Sequence, residues 1–202
     1  MINYLATQKN WQNAFSDTIT SFAELAQALD LPIDSFDSQV GQFPLKVPRR
    51  FVQKMGKGDI HDPLLKQVLP TFQETVQVTG FVTDPLDEQH ANPVKGIIHK
   101  YASRVLIPVT GACVVNCRYC FRQHFDYHEN LPTQNDWQAI SAYITAHPAV
   151  NEVILSGGDP LSLSNRRLLE IFTTLEALPQ VQTIRIHTRV PVMIPERLDE
   201  PL

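Results

Sequence analysis

The chain has 202 residues, of which 43% are hydrophobic and 19% charged, an ordinary composition for a protein that folds around a buried core. The net charge of −4 and the isoelectric point of about 5.9 argue against a nucleic-acid partner bound by bulk electrostatics. No apolar stretch reaches the ~18 residues that a transmembrane helix needs, and the first residues lack the apolar run of a secretory signal. We therefore expect a cytoplasmic protein without a membrane partner.

Residues 1–95 predict a helical N-terminal extension, made of short helices with proline-rich connections. Ser21 precedes the apolar run "FAELAQAL", and Glu24 follows three residues after it, which is the spacing of a capping box. Pro48 and Pro63 stand where proline is favoured, at the start of two further short helices. We place the boundary with the next domain at residue 96.

Residues 96–202 predict an α/β domain in which strands and helices alternate. Buried strands are expected in "RVLIPVTGA", in "EVILSGGDP", which ends in a glycine-rich turn, and in "TIRIHTR". The helix after the first strand has Trp137, Ile140 and Ile144 on one face. The helix after the second strand begins behind Ser164 and has apolar residues at positions i, i+3, i+4 and i+7, namely Leu168, Ile171, Phe172 and Leu175. This order of elements is typical of a parallel sheet.

Polar or glycine residues follow each of the three predicted strands. The first strand leads into loop 113–120, the second ends in the run 156–159 with sequence "SGGD", and the third is followed by "HTR" at 187–189. Ligands of parallel α/β folds bind at the carboxyl ends of the strands. We therefore expect these three segments to form one site.

All the cysteines of the chain lie in the run "CVVNCRYC", as Cys113, Cys117 and Cys120. Three is an odd number and the run is too tight for a disulfide framework, so metal binding or catalysis is favoured. One alternative is a zinc site completed by His124. The other is an iron–sulfur cluster, in which three thiolates leave one iron open for a small molecule. The surrounding α/β pattern favours the cluster, because a small zinc module would stand outside such a pattern. A non-catalytic zinc or iron–sulfur module stays the alternative.

The spacing C-x3-C-x2-C, with an aromatic residue before the last cysteine and a strand before the first, resembles the radical S-adenosylmethionine superfamily, and "SGGDP" is similar to its glycine-rich motif. The resemblance implies a partial (β/α)6 TIM-like barrel, of which this chain would hold the first three strands. It implies that Cys113, Cys117 and Cys120 hold a [4Fe–4S] cluster. It also implies S-adenosylmethionine contacts from Tyr119, Ser156, Gly157, Gly158, Asp159, His187 and Arg189.

Three longer segments, "HKYASRVLIPVTGACVVNCRYCFRQHF", "VILSGGDPL" and "IRIHTRVPVMIPERL", resemble the lysine 2,3-aminomutase family. The resemblance implies an isomerase that moves the α-amino group of L-lysine to the β-carbon, with pyridoxal phosphate as a further cofactor. Lys100, Tyr101 and Arg104 match its phosphate ligands, although the family usually has arginine at position 100. Arg122 matches its ligand of the substrate carboxylate. An electron donor such as flavodoxin or ferredoxin is a further implied partner.

Two features refine this resemblance. The segment "FPLKVPRRFVQKMGKGDIHDPLLKQVLP" is most similar to the branch of the family that makes (R)-β-lysine for elongation factor P. Residues 104–202 hold three strands, and no lysine follows Lys100 to carry pyridoxal phosphate. We therefore expect this length to be an incomplete, inactive fragment whose third strand is an open edge. The sequence leaves open whether the chain forms a homo-oligomer.

Overall fold

The computed structural model describes residues 11–37, 43–198 and 202. In the N-terminal region, residues 11–16 are helical, and a short antiparallel pair joins β1 to β2. The bounds of the elements here are β1 Thr18–Ile19, α1 Phe22–Leu29, β2 Val47–Pro48 and α2 Arg49–Val52, with 3-10 turns at Ile33–Ser35, Leu65–Gln67, Phe72–Thr75 and Gln89–Ala91.

Helix α1 begins where the sequence predicts, with Ser21 at its N-cap position. The predicted capping box is wrong, because the Ser21 side chain caps no backbone N–H among the described residues. Glu24 is instead turned toward Arg49, whose guanidinium donates to its carboxylate. A charged partner binds a carboxylate more strongly than a neutral backbone N–H does, which explains the outcome.

The main sheet has four strands in the order β3-β4-β5-β6 within the described residues: β3 Ile98–Tyr101, β4 Arg104–Thr110, β5 Glu152–Gly157 and β6 Thr183–Ile186. The three predicted strands, β4 to β6, are confirmed and run parallel. Strand β3 was not predicted. It pairs antiparallel with β4 through a tight hairpin, so the sheet is mixed.

Two long helices cover one face of this sheet, and their apolar positions are those that the sequence predicts. They are α4 Asp136–Ala146 and α5 Asn165–Glu176. Two short helices of this region are α3 Tyr127–Asn130 and α6 Val190–Met193. The Ser164 hydroxyl accepts from the backbone N–H of Arg167, which confirms the predicted cap of α5. Buried side chains of both helices pack on the sheet in one core, namely Trp137, Ile140, Ile144, Ile171 and Leu175.

The alternation of side chains along the strands creates the space for a site. Val105 and Ile107 of β4 point to the helices and are fully buried. Leu106 of β4 and Ile154 of β5, which pair across the sheet, line a cavity on the other face. One face of the sheet is therefore core, and the other faces an open cavity.

A second core joins the N-terminal region to the loop that follows β4. Val114 and Val115 of that loop are buried with Leu25, Val47 and Leu65. In the described ranges, none of the helices combines the length and apolar character needed to cross a membrane.

Candidate active site

A cavity of about 640 Å³ lies on the open face of the sheet and reaches the carboxyl ends of β4, β5 and β6. Every residue that the sequence singled out for a cofactor or substrate lines it, and the structure thus brings together Lys100, Tyr101, Arg104, Cys113, Cys117, Tyr119, Cys120, Arg122, Ser156, Gly157, Gly158, Asp159, His187 and Arg189. His124, the fourth ligand of the zinc alternative, is exposed and lies outside the lining.

The three cysteines are free, half-buried thiols at the wall of this cavity. Burial raises the pKa of Cys113 to about 11 and also raises the pKa of Cys117, so both thiols are protonated near pH 7 and a bound metal would displace their protons. Across the described residues, no three His, Cys, Asp or Glu side chains converge on a single metal ion. A [4Fe–4S] cluster places its thiolates at separate corners of a cube, and three sulfur donors on one cavity fit that group.

The cysteine loop is held in place by residues 43–46 of the N-terminal region. Lys46 Nζ donates to the carbonyl of Cys113 over 2.7 Å. The backbone N–H of Asn116 donates to the carbonyl of Lys46, and its side-chain amide donates to that of Pro44. These bonds fix the loop backbone at both sides of its first turn, so the thiols are positioned before a metal binds.

Arg118, inside the cysteine run, anchors the same loop from its other side. Its guanidinium makes a two-point ion pair with Glu74 and donates to the carbonyl of Phe43 over 3.0 Å. Its backbone N–H donates to the carbonyl of Gln67. Arg118 therefore faces away from the cavity and stabilises the loop.

The glycine-rich turn after β5 packs backbone to backbone against the cysteine loop. Gly157 has a φ of +118°, a conformation that favours glycine, and a Cβ there would lie 2.4 Å from the carbonyl oxygen of Thr110. A Cβ on Gly158 would lie 2.3 Å from the carbonyl oxygen of Ala112. The two glycines thus let the turn touch the residues that lead into Cys113.

We expect Gly158→Ala to displace the cysteine loop and to reduce the iron content of the reconstituted protein severalfold. The new methyl group would overlap backbone atoms of Ala112, which have no flexible side chain to move. The matched control is Gly56→Ala, where the added Cβ would meet its nearest atom at an ordinary 3.4 Å. Iron and sulfide analysis after anaerobic reconstitution measures the effect. Equal iron content in the two variants would contradict the prediction.

Asp159 is buried, and its carboxylate accepts hydrogen bonds from other residues of the protein. Oδ1 accepts from the backbone N–H of Leu161 and the hydroxyl of Thr188, at 3.0 and 2.6 Å. Oδ2 accepts from the backbone N–H groups of Arg189 and Val190, at 2.6 and 3.0 Å. The three bonds from Thr188, Arg189 and Val190 tie the glycine-rich turn to the residues after β6. Asp159 lines the cavity, and it also holds the backbone of Arg189 in position.

Arg189 reaches from the end of β6 to the cysteine loop. Its Nη1 lies 2.7 Å from Cys117 Sγ and also donates to the Tyr119 hydroxyl, while Nη2 donates to Gln67 Oε1. The guanidinium partly offsets the rise that burial causes in the pKa of Cys117. His187 lies on the same wall, and burial lowers its pKa, so its imidazole is neutral near pH 7.

The predicted phosphate ligands belong to the β3–β4 hairpin at the other end of the cavity. The Arg104 guanidinium lies over the Tyr101 ring, 5.0 Å from its centroid, and both side chains are exposed. Lys100 Nζ donates to the carbonyl of Leu86. Two cations and a phenol fit the phosphate of pyridoxal phosphate. At ~3.3 Å per residue, Arg104 is about 20 Å along β4 from Thr110.

Arg122 lies between these two ends and is 6% exposed. Its Nε and Nη2 donate to the two carboxylate oxygens of Glu88 at 2.8 and 2.6 Å. Its Nη1 donates to the Ser156 hydroxyl at 2.8 Å. The predicted ligand of a substrate carboxylate is therefore already oriented by an internal carboxylate and a hydroxyl.

Sequence reasoning missed three residues of this site. Glu88 binds Arg122, Gln67 binds Arg189, and Tyr127 lies on the cavity wall, where burial raises its pKa and keeps its phenol neutral. Gln67 and Glu88 carry no local motif, and their partners are far along the chain. Tyr127 follows the cysteine run by seven residues, and an aromatic residue so close to it was the one available signal.

Comparison with known proteins agrees with the site. The sequence model of the Radical SAM superfamily matches residues 107–200, which begin inside β4 and extend past β6. Residues 107–200 therefore belong to the radical S-adenosylmethionine superfamily, the class of protein that the cysteine loop and the glycine-rich turn define.

The particular relatives are L-lysine 2,3-aminomutases. The chain is 44% identical over 196 residues to that of Haemophilus influenzae, a match that covers 96% of this chain and 58% of the relative. It is 44% identical over 200 residues to that of Escherichia coli, covering 97% and 58%. It is 31% identical over 198 residues to that of Clostridium subterminale, covering 96% and 47%. The chain thus spans about half to three-fifths of the length of these relatives.

Proposed function

We propose that this chain forms the cluster-binding part of a lysine 2,3-aminomutase, which moves the α-amino group of L-lysine to the β-carbon. The observation that carries the proposal is the single cavity that contains the three cysteines, Arg122 and the cations of the β3–β4 hairpin. Homology to L-lysine 2,3-aminomutases over nearly the whole chain supports it. The parallel order of β4 to β6, with helices on one face, supports a partial (β/α)6 barrel as the complete fold.

Different residues of the cavity would bind the cluster and S-adenosylmethionine. Cys113, Cys117 and Cys120 would hold a [4Fe–4S] cluster, which would supply an electron for radical chemistry with S-adenosylmethionine. The turn at 156–159 and the segment 187–189 would contact S-adenosylmethionine beside the cluster. Their shared hydrogen bonds through Asp159 keep those two segments in one arrangement.

The other half of the cavity would hold the substrate. Arg122 would bind the α-carboxylate of lysine, because a buried guanidinium is a strong and directional donor to a carboxylate. Tyr101 and Arg104, with Lys100, would hold the phosphate of pyridoxal phosphate. The apolar wall formed by Leu106 and Ile154 would limit the access of water, which would protect a radical from side reactions.

The biological use of the product is a finer proposal. The N-terminal segment 43–70 resembles the branch that supplies (R)-β-lysine to elongation factor P. We propose that β-lysine made here modifies elongation factor P. A flavodoxin or ferredoxin would supply the electron.

The function is tested with the natural full-length protein that contains these residues. The protein is reconstituted with iron and sulfide under anaerobic conditions and mixed with S-adenosylmethionine, pyridoxal phosphate, a reductant and isotopically labelled L-lysine. We expect labelled β-lysine by mass spectrometry, and none from a Cys117→Ala control. A protein with a complete four-iron cluster that makes no β-lysine would overturn the proposal.

A further inference from the structure

Glu88 is a buried carboxylate on the wall of the cavity, and neither a motif nor the family resemblance assigned it a role. Its exposure is 5%, and that of its partner Arg122 is 6%. The pair is bidentate, with two bonds below 2.9 Å. Buried ion pairs contribute little to stability when their desolvation is counted, so a pair placed on a ligand cavity calls for a functional explanation.

The geometry of the pair leaves part of Arg122 free for a ligand. A guanidinium carries five N–H groups. Glu88 takes one from Nε and one from Nη2, and the Ser156 hydroxyl takes one from Nη1. One N–H on each terminal nitrogen therefore stays available among these contacts. A carboxylate with two oxygens can accept from both.

Glu88 is itself fixed from outside the cavity. Its backbone N–H donates to Asp84 Oδ1 at 3.1 Å, and that of Gln89 donates to Asp84 Oδ2 at 3.1 Å. These bonds lower the pKa of Asp84, which stays ionised and holds the turn. The Leu86 carbonyl of the same turn accepts from Lys100. Glu88 therefore belongs to a turn that is held in place by hydrogen bonds to Asp84 and from Lys100.

We propose that Glu88 is the positioning residue that orients Arg122 for the α-carboxylate of an amino-acid substrate and thereby makes the site select for that carboxylate. This inference rests on the proposed function of Arg122. Glu88 balances the charge of the guanidinium while the site is empty and fixes its plane, and the substrate carboxylate binds the two remaining N–H groups. Glu88 acts through Arg122 and does not touch the substrate.

The test measures carboxylate selectivity, which a purely structural role would leave unchanged. Binding of L-lysine and of cadaverine, which lacks the carboxylate, is compared by equilibrium dialysis in the full-length holoenzyme without reductant. The wild type should prefer lysine by at least ~10-fold, as expected for a buried charge pair. Glu88→Gln should remove most of this preference by weakening lysine binding, and Glu88→Asp should restore part of it. Glu170→Gln, on the outer surface of α5, is the matched control.

A double variant separates failure of the inference from failure of the proposed function. If Glu88 acts through Arg122, adding Glu88→Gln to Arg122→Met should cause no further loss of lysine preference. A preference that is unchanged or increased in Glu88→Gln would overturn the inference, since an increase would mean that Glu88 competes with the substrate. If Arg122→Met leaves lysine preference intact, the proposed function of Arg122 fails instead. Cluster content and S-adenosylmethionine binding are measured on each variant, and where Glu88→Gln does not fold, Glu88→Asp decides.

Discussion

Replacing Cys113, Cys117 or Cys120 by alanine is expected to abolish assembly of the [4Fe–4S] cluster. The 202 residues contain three cysteines, all in one loop, so no spare thiol in this chain can replace a lost ligand. Each thiol lies on the wall of the same cavity. The measurement is iron and sulfide content with the absorption spectrum after anaerobic reconstitution. A single alanine variant with a full four-iron complement would show that the ligand assignment is wrong.

His124→Ala is the control for this experiment, because it separates the cluster from the zinc alternative. His124 is exposed and outside the cavity lining, so its loss should leave the iron content unchanged. Under the zinc alternative, the purified wild type would be colourless. His124→Ala would then reduce its zinc content, because a fourth ligand is lost.

Replacing Arg122 by methionine in the full-length protein is expected to weaken L-lysine binding by roughly 30-fold or more. Removing one partner of a buried charge pair at a binding site costs about 2–5 kcal/mol, and 1.4 kcal/mol is about tenfold in affinity. Methionine keeps much of the volume of the side chain and removes its charge and all five donors. Cluster content and S-adenosylmethionine binding should stay near normal, because Arg122 is not among the residues assigned to hold the cluster or S-adenosylmethionine.

Arg122→Lys provides an intermediate case. It keeps a positive charge but cannot offer two parallel N–H groups, so lysine affinity should fall between those of the wild type and Arg122→Met. Equilibrium dialysis with labelled L-lysine distinguishes the three proteins. If Arg122→Met binds lysine as the wild type does, Arg122 does not contact the substrate carboxylate.

The parts that the sequence alone could predict depend on local patterns. The strands β4 to β6 and the helices between them follow from short-range periodicity, and Trp137, Ile140 and Ile144 are buried as that periodicity requires. The thiol spacing in 113–120 is a property of a single loop. Because strands that run parallel end at the same edge of a sheet, the order of elements was enough to place the cysteine loop, the glycine-rich turn and residues 187–189 together.

The tertiary structure decided what the individual side chains do. Glu88 and Arg122 are 34 residues apart, and Arg189 and Cys117 are 72 apart. Short-range sequence patterns therefore cannot predict either contact. Ser21 and Glu24 have the spacing of a capping box, yet Glu24 binds Arg49, 25 residues away. Asp159 was expected to contact a cofactor and also holds the residues after β6. A charged group takes the strongest partner that folding brings within reach, and only the packed chain determines which partner that is.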